Sequence, residues 1–396
     1  MHPSEEIFCT KSNKLRGKTI IIGITGSVAA MECFATIREL IRHGAKVIPV
    51  MSDAAQDLVT ATSMEFASGR EPITKITGQA EHVSMLGDGS VADLFLIYPA
   101  TANTISKIAN GIDDTPVTTM ATVAMGSKVP MVIAPAMHDS MFRNPAVQKN
   151  IEYLKKNGVM FLGPVIEDTR AKVVSKEAVI AWVFKLMSKN DLHGKKVLVI
   201  GGRSEEPIDS MRMITNRSTG LMAVQIAERA FERGADTELW MGGCSVPLPD
   251  HILIKRFETV GDLMKMIPKI KHDAVIVPAA LADFALTKVQ KGKIPSDGAV
   301  NVELAPVPKA LPAIRAKCAK VIGFKAESGL NRDALIEKAR KRLELYDLSA
   351  IVANDIDSAG KRSSNVVIVK RESAKDVSGT KANIADSILD VCAELL

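Results

Sequence analysis

Two clusters in this chain combine residue types and spacings suited to chemistry. In the first half they are Gly23-Ile-Thr-Gly26-Ser27, His82, Pro99-Ala-Thr101-Ala-Asn103-Thr104 and Pro135-Ala-Met-His138-Asp-Ser-Met141-Phe142. A glycine turn with a small hydroxyl, following an apolar run, aims backbone N–H groups at an anion. Imidazole titrates near neutrality and suits proton transfer. Singly, each segment also reads as ordinary structure: His82 as a surface histidine, Asn103 as a helix cap, Pro135-Ala-Met as a strand exit. Their joint spacing favours a site.

The second half carries Gly201-Gly202-Arg203-Ser204-Glu-Glu206-Pro207-Ile-Asp209, then Arg212-Met-Ile-Thr215-Asn216-Arg-Ser218-Thr219-Gly220. Further on come Pro278-Ala279-Ala280, Asp283, Lys291-Gly-Lys293, Phe324, and Lys338 to Arg342. A carboxylate forms an amide only after activation by a nucleotidyl or phosphoryl group. That requires cations on a triphosphate, a metal to share its charge and a donor for the developing oxyanion. Lys293, Lys338, Arg342 and Asn216 are groups of those kinds. Alone, Lys338–Arg342 reads as a solvated helix face, Asp283 as a turn, and Asn216–Gly220 as a cap.

Strands must deliver these turns. Apolar runs end at Gly23 and Gly201, and others cover Ala45–Val50, Ala92–Tyr98, Val129–Ala134 and Val159–Leu162. In the second half they cover Val197–Ile200, Thr237–Met241, Ala274–Pro278, Val321–Phe324, Ala350–Val352 and Val366–Lys370. Continuous apolar runs of this length suit parallel sheets covered on both faces. Helical spacing predicts helices over Ala30–Arg42, Leu221–Arg233 and Arg332–Leu345. The expected fold is α/β, with two Rossmann-like three-layer domains at 1–187 and 195–396, joined by the polar stretch 188–194. Neither glycine turn matches the G-x-G-x-x-G dinucleotide fingerprint, which weighs against an NAD-dependent oxidoreductase without removing it.

Composition narrows the classes. A net charge of +6 without a long basic run, and only 4% aromatic residues, disfavour nucleic acid as a partner. No apolar stretch is long enough to cross a bilayer. Five dispersed cysteines support neither a disulfide framework nor a zinc site. With no signal-peptide pattern at the start, a cytoplasmic setting is expected.

The first-half motifs Gly-Ile-Thr-Gly-Ser-Val-Ala-Ala, Pro-Ala-Thr-Ala-Asn and Pro-Ala-Met-x-x-x-Met resemble those of the flavin-dependent cysteine decarboxylases. The resemblance implies an FMN-binding, trimeric domain with Gly26, Ser27, Ser52, Thr101 and Asn103 near the flavin and His82 catalytic. Two positions depart from that family. His138 stands where an Asn usually binds the substrate carboxylate, and Arg170-Ala171-Lys172-Val173 replaces a loop that usually carries a cysteine. His138 and Lys172 are therefore candidate stand-ins. Without that cysteine, a first half that only scaffolds an active second half is an alternative.

The second-half motifs resemble the phosphopantothenate–cysteine ligases. The resemblance implies CTP with Mg2+, Asn216 at an acyl-cytidylate, and Lys293 as the catalytic lysine. Ala279, Ala280 and Phe324 would line the nucleotide pocket, Asp283 would contact the nucleotide, and Lys338 and Arg342 the triphosphate. No metal ligands are assigned. Together the resemblances imply ligation of cysteine to 4′-phosphopantothenate, then decarboxylation to 4′-phosphopantetheine. They also imply trimers through the first domain and dimers through the second, hence a dodecamer.

Overall fold

The computed structural model describes residues 2–163, 165–167, 170–172, 174–295, 298–355 and 363–396. The chain divides into two compact units, Met1–Met187 and Ser188–Leu396.

In the first unit β1 (Thr19–Ile24), β2 (Lys46–Met51), β3 (Leu94–Ala100), β4 (Met131–Pro135) and β5 (Met160–Phe161) form one sheet in the order β2-β1-β3-β4-β5. Every pairing is parallel. Ile20, Ile22 and Ile24 pack into one core cluster, and Ile21 into the cluster on the opposite face. Leu94, Leu96 and Tyr98 alternate with Phe95 and Ile97 in the same way. Both faces are dry, which is why the strands read as unbroken apolar runs. A short antiparallel pair follows, β6 (Val165–Glu167) with β7 (Arg170–Lys172). The helix expected from Ala30 starts differently. Ser27 caps a single 3-10 turn, Val28–Met31, before the α-helix Glu32–Arg42.

The second unit contains β8 (Lys196–Gly201), β9 (Glu205–Pro207), β10 (Met213–Thr215), β11 (Asp236–Met241), β12 (Leu253–Arg256) and β13 (Ala274–Val277). It continues with β14 (Phe284–Leu286), β15 (Leu304–Pro306), β16 (Val321–Glu327), β17 (Ala350–Asp355), β18 (Ser363–Val369) and β19 (Ala374–Thr380). The main sheet runs β12-β11-β8-β13-β16-β17-β18-β19. It is parallel through β17, and β18 and β19 are appended antiparallel. Two antiparallel pairs, β9/β10 and β14/β15, lie outside it.

Residues 188–194 are built into the second unit. Leu192 is fully buried, its N–H donates to the Arg233 carbonyl, and Asp191 pairs with the Arg233 guanidinium at 2.6 Å.

Candidate functional sites

Ligands of open α/β sheets sit beyond the carboxyl ends of the strands, where the strand order switches direction. In the first unit that point lies between β1 and β3, and the turns that follow these two strands carry Gly26, Ser27, Thr101 and Asn103. Thr25 joins the two turns: its hydroxyl donates to the Pro99 carbonyl at 2.8 Å and accepts from the Thr101 N–H at 3.1 Å. Gly26 presses against the neighbouring turn; a Cβ there would lie 2.6 Å from that of Ala54. Thr101, not Asn103, caps the helix Ala102–Ala109, accepting from the Thr104 N–H. Asn103 is thereby left exposed on the first turn of that helix.

Ser52 follows β2. Its hydroxyl is buried and makes no side-chain cap bond, and among the described residues it has no hydrogen-bond partner. His82 sits on the short helix Glu81–Leu86, and its Nδ1 is likewise buried and unpartnered. Buried polar atoms are normally satisfied, so two orphans among the candidate residues mark places prepared for another group. His138 is the N-cap of a short helix and its Nδ1 accepts from the Ser140 N–H at 3.3 Å. That bond leaves Nε2 as the ring atom able to donate to a ligand. Lys172 belongs to β7, and its side chain lies outside the described residues.

The second unit switches between β8 and β13, and Ala280 is the hub there. Its N–H donates to the Gly202 carbonyl at 2.8 Å, and its own carbonyl accepts from Ser204 N–H and, at 3.0 Å, from Asn216 Nδ2. The buried Ser204 hydroxyl accepts from the Ala282 N–H at 2.9 Å. Arg203 is an internal brace, bonded to the Ser218 carbonyl and Glu205. Gly220, at φ +81°, turns the chain into the helix Leu221–Glu232; a Cβ there would sit 2.5 Å from Met241 Cε.

A cavity of about 600 Å³ opens beside this hub. Gly220–Ala223, at the start of that 12-residue helix, form part of its wall. Asn216, Ala279, Ala280, Asp283, Phe324 and Arg342 line it. Arg217, Lys309, Lys325 and Lys381 also line it, so among the described residues five cations face one carboxylate. That balance, with a helix N-terminus, suits a polyanion. Lys309 donates to Asp283, and this bond above all holds the carboxyl below its usual range. Arg342 Nε is buried without a partner among the described residues. Burial pushes the Lys381 ammonium down. Lys338 and Lys293 lie elsewhere: Lys338 is half-exposed and bonds Glu327 at 3.1 Å, and Lys293 is exposed on the loop after β14. Neither lines the cavity.

Residues 9–188 match the family model described as Flavoprotein, and residues 192–396 match that of the DNA/pantothenate metabolism flavoprotein C-terminal domain. The coenzyme A biosynthesis bifunctional protein CoaBC of Thermococcus kodakarensis is 43% identical over 406 residues, spanning all of both chains. The chain belongs to the CoaBC family. The CoaBC of Methanocaldococcus jannaschii is 35% identical over 404 residues, spanning 100% of this chain and 98% of its own. A solved DNA/pantothenate metabolism flavoprotein from Streptococcus pneumoniae covers 51% of this chain and 100% of its own, at 22% identity and a TM-score of 0.47.

As a CoaBC, the protein is a bifunctional enzyme of coenzyme A biosynthesis with a flavoprotein decarboxylase half and a ligase half. Sequence reasoning missed several residues of these sites. Thr25 lay unremarked inside the first glycine turn. Lys309 follows Pro306-Val-Pro308 at the end of a two-stranded piece with no apolar run to announce it. Lys381 begins the last helix, 98 residues beyond Asp283 in a chain that folds it back to the cavity.

Proposed function

We propose that the ligase half uses CTP with Mg2+ to join cysteine to 4′-phosphopantothenate, and that the decarboxylase half uses FMN to convert the product to 4′-phosphopantetheine. The observation that carries the first reading is the set of cations and the open helix start around one cavity. A substrate carboxylate oxygen attacks the α-phosphorus of the triphosphate, and the bond to the β-phosphate breaks, releasing pyrophosphate. The cysteine amine then attacks the activated carbonyl, loses a proton, and CMP departs. Arg342, Lys309 and Lys381 would hold phosphates, and Mg2+ would arrive with the nucleotide. Asn216, fixed by the Ala280 carbonyl, would steady the acyl-nucleotide. Lys293 would act on the developing charge, and Lys338, released from Glu327, would reach the triphosphate.

The decarboxylase reading rests on the orphaned Ser52 hydroxyl and His82 Nδ1 in the unit whose switch-point turns carry Thr25 and Thr101. Those atoms fit a flavin, with Ser27, Ser52, Thr101 and Asn103 around it and Gly26 allowing the close turn. A bound flavin would supply the two-electron sink that a cysteine carboxylate lacks. His82 would move the proton, His138 would donate from Nε2 to the carboxylate, and Lys172 would take the place of the usual clamp-loop cysteine.

The same proposal extends to assembly and setting. Exposed Val28 and Met31 in the first unit, and Met213, Phe284 and Leu304 on the two antiparallel pairs of the second with Met211 in the turn between β9 and β10, are apolar surface suited to trimer and dimer contacts. The five free cysteines suit a cytoplasmic setting.

A half-reaction assay tests the reading. Purified enzyme should release pyrophosphate from CTP, and poorly from ATP, only with 4′-phosphopantothenate, and should release CO₂ from added phosphopantothenoylcysteine. Ligation without any CO₂ release would instead support the scaffold role for the first half.

A further inference from the structure

The loop bearing Lys293 is tied down by a carboxylate of the second-half motif to which the sequence assigns no role. Asp209 lies between β9 and β10, just ahead of the strand that delivers Asn216, and its side chain is fully buried. Its two oxygens do different work. Oδ1 accepts from the Met211 and Arg212 N–H groups at 2.8 and 2.7 Å, closing its own turn. Oδ2 accepts from Arg212 Nη1 at 2.7 Å and from the Ile294 N–H at 3.0 Å, reaching 85 residues along the chain. Around this link, Ser210 N–H donates to the Gly292 carbonyl, Gln290 N–H to the Ile208 carbonyl, and Arg212 Nη1 to the Ile294 carbonyl at 3.1 Å. Gly292 and Ile294 are thus both fastened to the 208–212 turn, and Lys293 sits between them with its side chain exposed.

We propose that Asp209 is a positioning residue for the ligase reaction: through Oδ2 it sets the backbone of Lys293 relative to the strand that carries Asn216. The inference rests on the catalytic reading of Lys293 given above. The N–H of Ile294 is the largest of the influences that hold the Asp209 carboxyl down to about 2, so the acceptor stays ionised through the neutral range. A charged acceptor makes the stronger hydrogen bond and fixes its donor more tightly. Small displacements of a reacting group cost large factors in rate, of order a hundredfold for about 1 Å.

The test uses the full chain. Asp209→Asn keeps an oxygen for the turn but puts an amide where Oδ2 accepted, and Ile294→Pro removes the same bond from the donor side. Each should lower ligase kcat roughly tenfold to a hundredfold, leave KM for CTP within about twofold, and leave CO₂ release unchanged. Asp209→Asn added to Lys293→Ala should cost no more than Lys293→Ala alone, because the first acts through the second. Near-normal kcat in both single variants would overturn the proposal. So would a multiplicative loss in the double variant, which would give Asp209 a role apart from the lysine. If Lys293→Ala itself ligates normally, the catalytic reading of Lys293 falls, and the positioning role falls with it.

Discussion

The two halves start alike, with a β-branched strand running into glycines, yet they solve the switch point differently. The first unit has the order β2-β1-β3-β4-β5. In the second, the parallel strands β12-β11-β8-β13-β16-β17 are, counted among themselves along the chain, 3-2-1-4-5-6. In the first, a side chain, Thr25, fastens the two turns. In the second, backbone does so, through Ala280. The remainders differ too. The first leaves Ser52 Oγ and His82 Nδ1 buried and, among the described residues, without a hydrogen-bond partner. The second leaves cations around a cavity. A similar sequence opening therefore says only that a turn will face a ligand; the groups gathered around it say what kind.

That contrast is open to breakage. The largest expected effect is a crossed pair of losses. His82→Asn should lower CO₂ release by about 10²–10⁴-fold and leave ligation intact, while Asn216→Asp should abolish ligation and leave CO₂ release intact. Loss of both reactions from either change would show one coupled site. Next, Arg342→Ala should raise KM for CTP by roughly 10–100-fold, the worth of a charge-assisted bond. Lys338→Ala should move it less, by roughly threefold, since that ammonium must first leave Glu327 to reach the triphosphate. Equal effects would mean that breaking the Glu327 pair costs little when nucleotide binds.

The smallest effect concerns pH. In the first half, burial opposes ionisation of Glu39 but Lys11, His43 and Arg42 together outweigh it, and the Thr77 hydroxyl lowers Glu81. In the second, burial pushes Glu228 up to about 7, with Glu232 adding repulsion. A carboxyl raised in the folded state binds its proton there and releases it on unfolding. Its stability cost is therefore absent below about pH 4.5 and grows as pH rises through about 7. Glu228→Gln should raise the melting temperature of the second unit by roughly 2–8 °C at pH 8, for about 1–2 kcal/mol, and by little at pH 5. Calorimetry at the two values checks it.

The strands that hold the sites were legible because both faces of each sheet are covered, so that β1, β3, β8 and β13 read as largely apolar runs of Ile, Val and Leu, with Phe95 and Tyr98 in β3. Their turns were legible for the same reason. The paired strands β9/β10 and β14/β15 were not, because three-residue strands such as Glu205–Pro207 and Leu304–Pro306 carry no period. β19, Ala-Lys-Asp-Val-Ser-Gly-Thr, buries too little to show one. Of the candidate ligase residues, those on the hub and cavity wall converge. Lys293 and Lys338 do not, since an exposed lysine's location is set by distant partners, here Asp209 and Glu327, which a linear pattern does not display.

One detail bears on how the chain can be dissected. The polar stretch 188–194 looks expendable as text, but Leu192 fills a site in the second unit and Asp191 neutralises the Arg233 guanidinium. A fragment beginning at Lys195 would open a hole where a leucine stood, at about 2–5 kcal/mol, and would leave an arginine short of one of its acids. A fragment beginning at Ser188 would keep both. The place to separate the two activities genetically is therefore the Met187–Ser188 bond, seven residues before the point that the restart of the apolar pattern suggests.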